Sequence, residues 1–296
     1  MKSDRETSPL LLAVVPGLFV LLWSTGFIGA KLGLPFAEPL TFLIVRFLCV
    51  IVLLGGVAVL LRRPWPSHGR QYRHIALAGI LLHGGYLSGV FGAIHHGMTA
   101  GVAALIVALQ PLLTALLGEV IVGERVTPRQ WMGFILGFGG VVLVVWDKLG
   151  VGGVTHVSLM LAVMALFSIT AGTLYQKRYC GGMDLWSGSV IQFVAAALAL
   201  LPFAFRLETM QIHWSGRFIF ALGWLVLVLS IGAISLLHTL IKRGAATRVS
   251  TLFYLTPPTT AVLAFVIFDE KLTLTALAGM MLAAIGVWLA LRQTSP

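Results

Sequence analysis

Charge is the scarcest thing in this sequence: 10% of its 296 residues are Asp, Glu, Lys or Arg, where a soluble domain carries about 25%. With 58% of the residues hydrophobic, a water-soluble core could not absorb the excess. Cysteine is nearly absent as well. Cys49 lies within an apolar stretch and Cys180 between two others, one in each half of the chain, so no disulfide framework is implied. The motifs H-E-x-x-H, G-x-S-x-G and the phosphate-binding P-loop are also missing, which leaves no metal, nucleophile or nucleotide site spelled out. The expectation is a protein that is not an enzyme and holds no cofactor. Soluble insertions are missing too: the longest connections between apolar runs are 62–73 and 206–216, so the function belongs to a bilayer or its faces.

What is present is a succession of apolar runs, at 10–31, 39–61, 74–95, 100–122, 128–146, 156–176, 185–205, 217–240, 247–268 and 273–291. Each is near the roughly 20 residues that a helix rising 1.5 Å per residue needs to cross about 30 Å of hydrocarbon. The runs are continuously apolar, whereas a barrel strand alternates apolar and polar residues. The fold class expected is therefore all-α, an integral membrane protein of ten transmembrane helices. The first run is too long for the apolar core of a signal peptide and is read as a span.

The net charge of +10 would point to nucleic acid in a soluble protein, but here the basic residues sit between spans, where they orient the chain. The N-terminus, the even-numbered loops and the C-terminus hold 14 Lys and Arg, among them Arg62, Arg63, Arg70, Lys177 and Arg178; the odd-numbered loops hold 5, namely Lys31, Lys148, Arg206, Arg217 and Lys271. Both termini are thus expected in the cytoplasm of a cell whose plasma membrane, the bacterial inner membrane by expectation, holds the chain. Membrane lipid is its surrounding, and no nucleic-acid partner is expected.

Shifted by 146 residues, the sequence matches itself without a gap: Pro111 falls on Pro257, Thr114 on Thr260, Glu124 on Glu270, Thr127 on Thr273, Gly133 on Gly279 and Gly140 on Gly286. Between 101–145 and 247–291 there are 14 identities in 45 positions. The register also carries Phe47 onto Phe193, so it spans nearly the whole chain. The domains read as two five-helix repeats, 1–146 and 147–296. Five is odd, so the second repeat enters the membrane from the opposite side, and the repeats are expected to be inverted around a central cavity. That construction is common in secondary transporters.

The run GVAALIVALQPLLTALLGEVIVGERVT from Gly101 to Thr127, its second copy from Ser250 to Gly286, LLWSTGFIGAK in span 1 and PLTFLIVRFL in span 2 together resemble the EamA family of the drug/metabolite transporter superfamily. The resemblance covers the whole chain in order. It implies a ten-helix bundle that exports amino acids, nucleosides or other small metabolites. Glu119, His83 and the Pro257-Pro258 doublet depart from the family's pattern. An uncoupled channel and a flippase-like carrier of lipids or lipid-linked substrates remain the alternatives.

Polar side chains inside lipid are costly and mark candidate sites. His83 lies roughly 14 Å along span 3 at the helical rise, near the midplane, with Tyr86 on the same face. Gln110 and Thr114 share a face of span 4, and their repeat partners Thr256 and Thr260 share one of span 9. Pro111, Pro257 and Pro258 remove backbone donors and are expected to kink the helices and expose carbonyls at that depth. Trp23 and Tyr254 could add aromatic walls. The expected substrate site is accordingly Trp23, His83, Tyr86, Gln110, Thr114, Tyr254 and Thr256, taking a small polar molecule. A permanent cation would find no carboxylate at the midplane. His83 is open to two readings, a coupling proton carrier or a neutral interhelical hydrogen-bond partner. Glu119, one turn from the end of span 4, is a possible gate or proton-linked carboxylate, though more in keeping with a solvated helix end. Arg46 matches the family's arginine in span 2, and the resemblance favours a structural or gating role for it over a substrate contact.

Overall fold

The computed structural model describes residues 9–114, 117, 127–149, 154–233, 253–271 and 273–291, with side chains omitted at 9–16, 130, 148, 149, 231, 233, 254, 287, 290 and 291. The described residues are helical: α1 (Pro9–Gly33), α2 (Pro39–Leu60), α3 (Gly69–His95), α4 (Ala100–Thr114), α5 (Pro128–Leu149), α6 (His156–Tyr179), α7 (Leu185–Leu207), α8 (216–233), α9 (Thr256–Phe268) and α10 (Leu274–Leu291). Among them α2, α3, α6 and α7 are long and apolar enough to cross a membrane, and the rest are shorter apolar helices or stretches. Glu119 and the basic residues of 242–248 lie outside the described residues.

Helix starts follow local chemistry. Pro39, whose ring presets the helical φ, begins α2. The Thr99 side chain caps α4, Thr155 and Ser158 form a reciprocal capping box on α6, Asp184 accepts from Trp186 and Ser187 at the start of α7, and Ser215 accepts from Phe218 on α8. Each cap satisfies a backbone donor that the helix itself cannot. At the other end of α6, burial pushes the Cys180 thiol up from its ordinary pKa.

Two departures from the α pattern overlap when the chain is shifted by 146 residues. In α3 the stretch Ile80–Gly85 is π-helical, and in α8 the stretch Trp224–Ala233 is. Such wide turns are rare and concentrate at functional places. In α4 the regular pattern stops at Val107 and resumes at Gln110, one turn before or beside Pro111, as a missing backbone donor requires. Pro257 and Pro258 behave differently from the expected mid-span kink: the α-helix starts at Thr256, after the 3₁₀ turn Phe253–Leu255, and both prolines stand in its first turn. A missing N–H costs nothing there.

The contacts that join the helices also recur 146 residues apart. α5 and α10 pack backbone to backbone, so that a Cβ on Gly140 would lie 2.4 Å from the Gly279 carbonyl oxygen, and one on Gly286 2.5 Å from that of Gly133. The order of these contacts makes the two helices antiparallel. α2 and α7 are antiparallel too. At one end Glu38 accepts from the Thr209 backbone N–H at 2.6 Å and Glu208 from Leu40 and Thr41 N–H at 2.7 Å. At the other, Arg63 meets Asp184 at 2.8 Å and Ser187 donates to the Pro64 carbonyl at 2.6 Å. Between the ends the Phe47 and Phe193 rings lie 5.4 Å apart. One continuous core, with Phe42, Phe47, Phe91, Phe193 and Phe218 fully or almost fully buried, runs through both halves.

The described connections sort onto two faces. Odd-numbered connections meet one another: Lys31 pairs with Glu270, Ala37 bridges Ile212, Asp147 accepts from Thr273 and Thr155 donates to the His96 carbonyl. The Arg63–Asp184 pair joins two even-numbered connections.

Candidate functional site

The π-helical stretch of α3 turns His83 toward α7. Its Nε2 lies 3.4 Å from Gln192 Oε1, and its ring stacks on Phe193 with centroids 4.1 Å apart, while Phe47 meets it at an angle from 6.4 Å. Gln192 in turn donates to Gln176 Oε1 of α6 at 2.6 Å. One turn back on the same face of α6, Thr173 accepts from Gln110 Nε2 at 3.0 Å and donates to the Ile169 carbonyl. A line of polar groups thus crosses from α3 through α7 and α6 to α4. Gln192 is buried, but His83, Tyr86, Gln110, Thr173 and Gln176 are only half-buried.

Arg46 of α2 belongs to this group. It is 5% exposed, has Tyr86 and His83 within electrostatic reach, and its Nε has no hydrogen-bond partner. The side chain therefore stays inside the bundle. Close approach of the backbones sets this geometry: a Cβ on Gly79 of α3 would fall 2.4 Å from the Gln192 Cα.

A second group lies on α1 and α9. Trp23 packs edge-on to Phe253 at 5.1 Å and tilted to Phe19 at 5.4 Å, and Ser24 donates to the Thr256 carbonyl at 3.4 Å. The hydroxyls of Thr114, Thr256 and Thr260 are buried without partners, an arrangement that costs about 1–3 kcal/mol for each donor left unsatisfied. Tyr254 falls in the 3₁₀ turn, and its side chain, like the whole of Glu119, lies outside the described residues. No described hydrogen bond or ring contact joins the Trp23 group to the His83 group. Among the described residues no cluster of His, Cys, Asp or Glu could hold a metal.

Sequence reasoning passes over Gln192, Gln176 and Thr173. The signal for the first was present: a glutamine inside an apolar span, at the repeat position of Arg46. A cavity of about 430 Å³ between α4, α5 and α6 is lined only by apolar side chains, including Leu109, Leu113, Phe134, Phe138 and Phe167, and by none of the polar candidates. It has the chemistry of lipid tails.

A helical bundle with committed polar side chains inside apolar helices has the makings of a membrane transport protein, and comparison with known proteins agrees. The model of the EamA-like transporter family matches residues 8–146 and again 156–292, and the chain belongs to that family. It is 28% identical to an uncharacterized transporter, YvbV, of Bacillus subtilis, over 98% of this chain and 93% of that one. It is 27% identical to a protein of Escherichia coli named as a probable amino-acid metabolite efflux pump, over 92% of each. A solved crystal structure superposes with a TM-score of 0.64 at 19% identity, over 94% of this chain and 95% of the other, which is a likeness of fold.

Proposed function

We propose that the chain is a secondary transporter that exports small polar metabolites, amino acids or their derivatives foremost, by alternating access, with 1–146 and 147–296 acting as inverted halves. The observation that carries this reading is the polar line His83–Gln192–Gln176 and Gln110–Thr173, which crosses between halves inside apolar helices and is only half-covered. Inversion is supported by the exchange of contacts. Gly140–Gly279 and Gly286–Gly133 are one contact seen from each half, as are Glu38–Thr209 and Asp184–Arg63, and the equivalent helices α2 and α7 run antiparallel. A two-fold axis relating them lies across the helices, near Phe47 and Phe193, which is the arrangement that lets two halves trade conformations.

Within this proposal His83 is a hydrogen-bonding member of the line and not the carrier of a coupling proton. Arg46 already brings a positive charge within reach, and no described carboxylate stands by to balance a second. In proteoliposomes loaded with radiolabelled amino acids, the wild type is expected to show saturable, counterflow-stimulated flux. Gln192→Leu should raise KM several-fold, since one lost hydrogen bond is worth about 1 kcal/mol; His83→Gln should leave the pH profile of flux unchanged. Unsaturable flux would make the protein a channel, and a pH profile flattened by His83→Gln would restore the coupling role.

Orientation is checked separately. With Cys49 and Cys180 replaced by serine, a cysteine at exposed Gln211 should react with a membrane-impermeant maleimide in intact cells, and one at exposed Arg70 only after permeabilisation. The opposite pattern would place both termini outside.

A further inference from the structure

Resting on the transport reading above, we infer that the guanidinium of Arg46 is the docking point for a carboxylate on the transported molecule, which makes the substrate an organic acid or a zwitterion. Arg46 is buried inside an apolar helix at 5% exposure and takes part in no hydrogen bond or ion pair among the described residues, its Nε being wholly covered. A guanidinium carries five donors and stays charged. Held in lipid without a counter-charge it is costly, and such residues face a partner or a watery path.

Every described carboxylate is at a helix end, and five of the six are occupied there. Glu38 holds Thr209, Glu208 holds the first turn of α2, Asp147 accepts from Thr273, Asp184 pairs with Arg63 and Glu270 with Lys31. Asp269, the sixth, closes α9. None balances Arg46. Its surroundings suit the remainder of a small acid: the half-buried Tyr86 and His83 offer a hydroxyl and a ring nitrogen, and the Phe47 and Phe193 rings beside His83 offer aromatic faces. The planar fork of a guanidinium matches the two oxygens of a carboxylate, a geometry that an amide or ester cannot reproduce.

The test is thermal unfolding of the purified protein in lipid nanodiscs, titrated with each of the twenty common L-amino acids, their N-acetyl derivatives and the C-terminal amide of each. Those acids that stabilise the wild type are expected to bind at least tenfold more tightly than their amides. Arg46→Gln should erase that preference, and Arg46→Lys, which keeps the charge but loses the fork, should retain part of it. Should Arg46→Gln fail to fold, the acid-to-amide ratio in the wild type and in Arg46→Lys decides. Equal binding of acids and amides by the wild type, or a preference that survives Arg46→Gln, overturns the inference while leaving metabolite transport standing. Binding of neither acids nor amides removes the metabolite reading and this inference with it.

Discussion

Alanine at Gly140 or at Gly286 is expected to cost this protein a large part of its stability. The new Cβ would lie 2.4 Å from the Gly279 carbonyl oxygen in the first case and 2.4 Å from the Gly137 nitrogen in the second. In both cases the obstacle is backbone, which cannot rotate away as a side chain can, so α5 and α10 must separate. Overpacking of this kind costs about 1–3 kcal/mol, and membrane helices that meet through small residues depend on that proximity for their association. Gly56→Ala is the control, because a Cβ there meets nothing within 4 Å. Thermal unfolding followed by size-exclusion chromatography should show Gly140→Ala and Gly286→Ala melting well below the wild type, with Gly56→Ala unchanged. If all three variants melt together, the close approach of α5 and α10 is wrong.

Reversing one charge of the Lys31–Glu270 pair is expected to reduce transport by an order of magnitude or more, and reversing both to recover most of it. Glu270 is 10% exposed and Lys31 30%, so each single reversal sets like charges together in a partly dry place. The pair does more than join α1 to the end of α9. Glu270 also accepts from the Ala100 N–H at the start of α4 at 3.3 Å, and Lys31 lies 4.8 Å from the centre of the Phe268 ring. Recovery in Lys31→Glu/Glu270→Lys should therefore be incomplete, because a lysine at 270 faces the positive end of α4. A double-mutant cycle on transport rate measures the coupling; strictly additive losses would mean that the two residues act independently. The repeat counterpart of this pair is Lys177 with Glu124, of which Glu124 lies outside the described residues.

Much of the fold could be read from the chain because the apolar runs end at residues with strong local preferences. The runs expected at 39–61 and 185–205 emerge as Pro39–Leu60 and Leu185–Leu207, since Pro39 and Asp184 mark their starts. α3 begins at Gly69 instead of near His74, as its first turn is polar and hydropathy cannot register a helix that leaves the hydrocarbon. For the site, the rule that polar groups in lipid are purposeful singled out His83, Tyr86 and Gln110. It could not pair them. His83 finds Gln192, and Gln110 finds Thr173, on helices about 60–110 residues distant in the chain, and the π-helical turn at Ile80–Gly85 alters the angular spacing on which face-sharing at three and four residues depends. Arg46 was legible as a residue but not as an unpartnered one, because its isolation depends on where each carboxylate settles.

The match at 146 residues has a consequence for how such a chain can change over time. Phe47 and Phe193 occupy the same place in the two copies and touch each other; had the copies stayed identical, each neighbour of that contact would also have met its twin. Two phenyl rings tolerate this. Two arginines would not, since a second guanidinium at the place of Gln192 would have joined Arg46 around the same imidazole with nothing to neutralise either. The difference at this one position gives His83 its hydrogen-bond partner and spares Arg46 a second guanidinium beside it. The two copies are lopsided where sameness would have cost the molecule most.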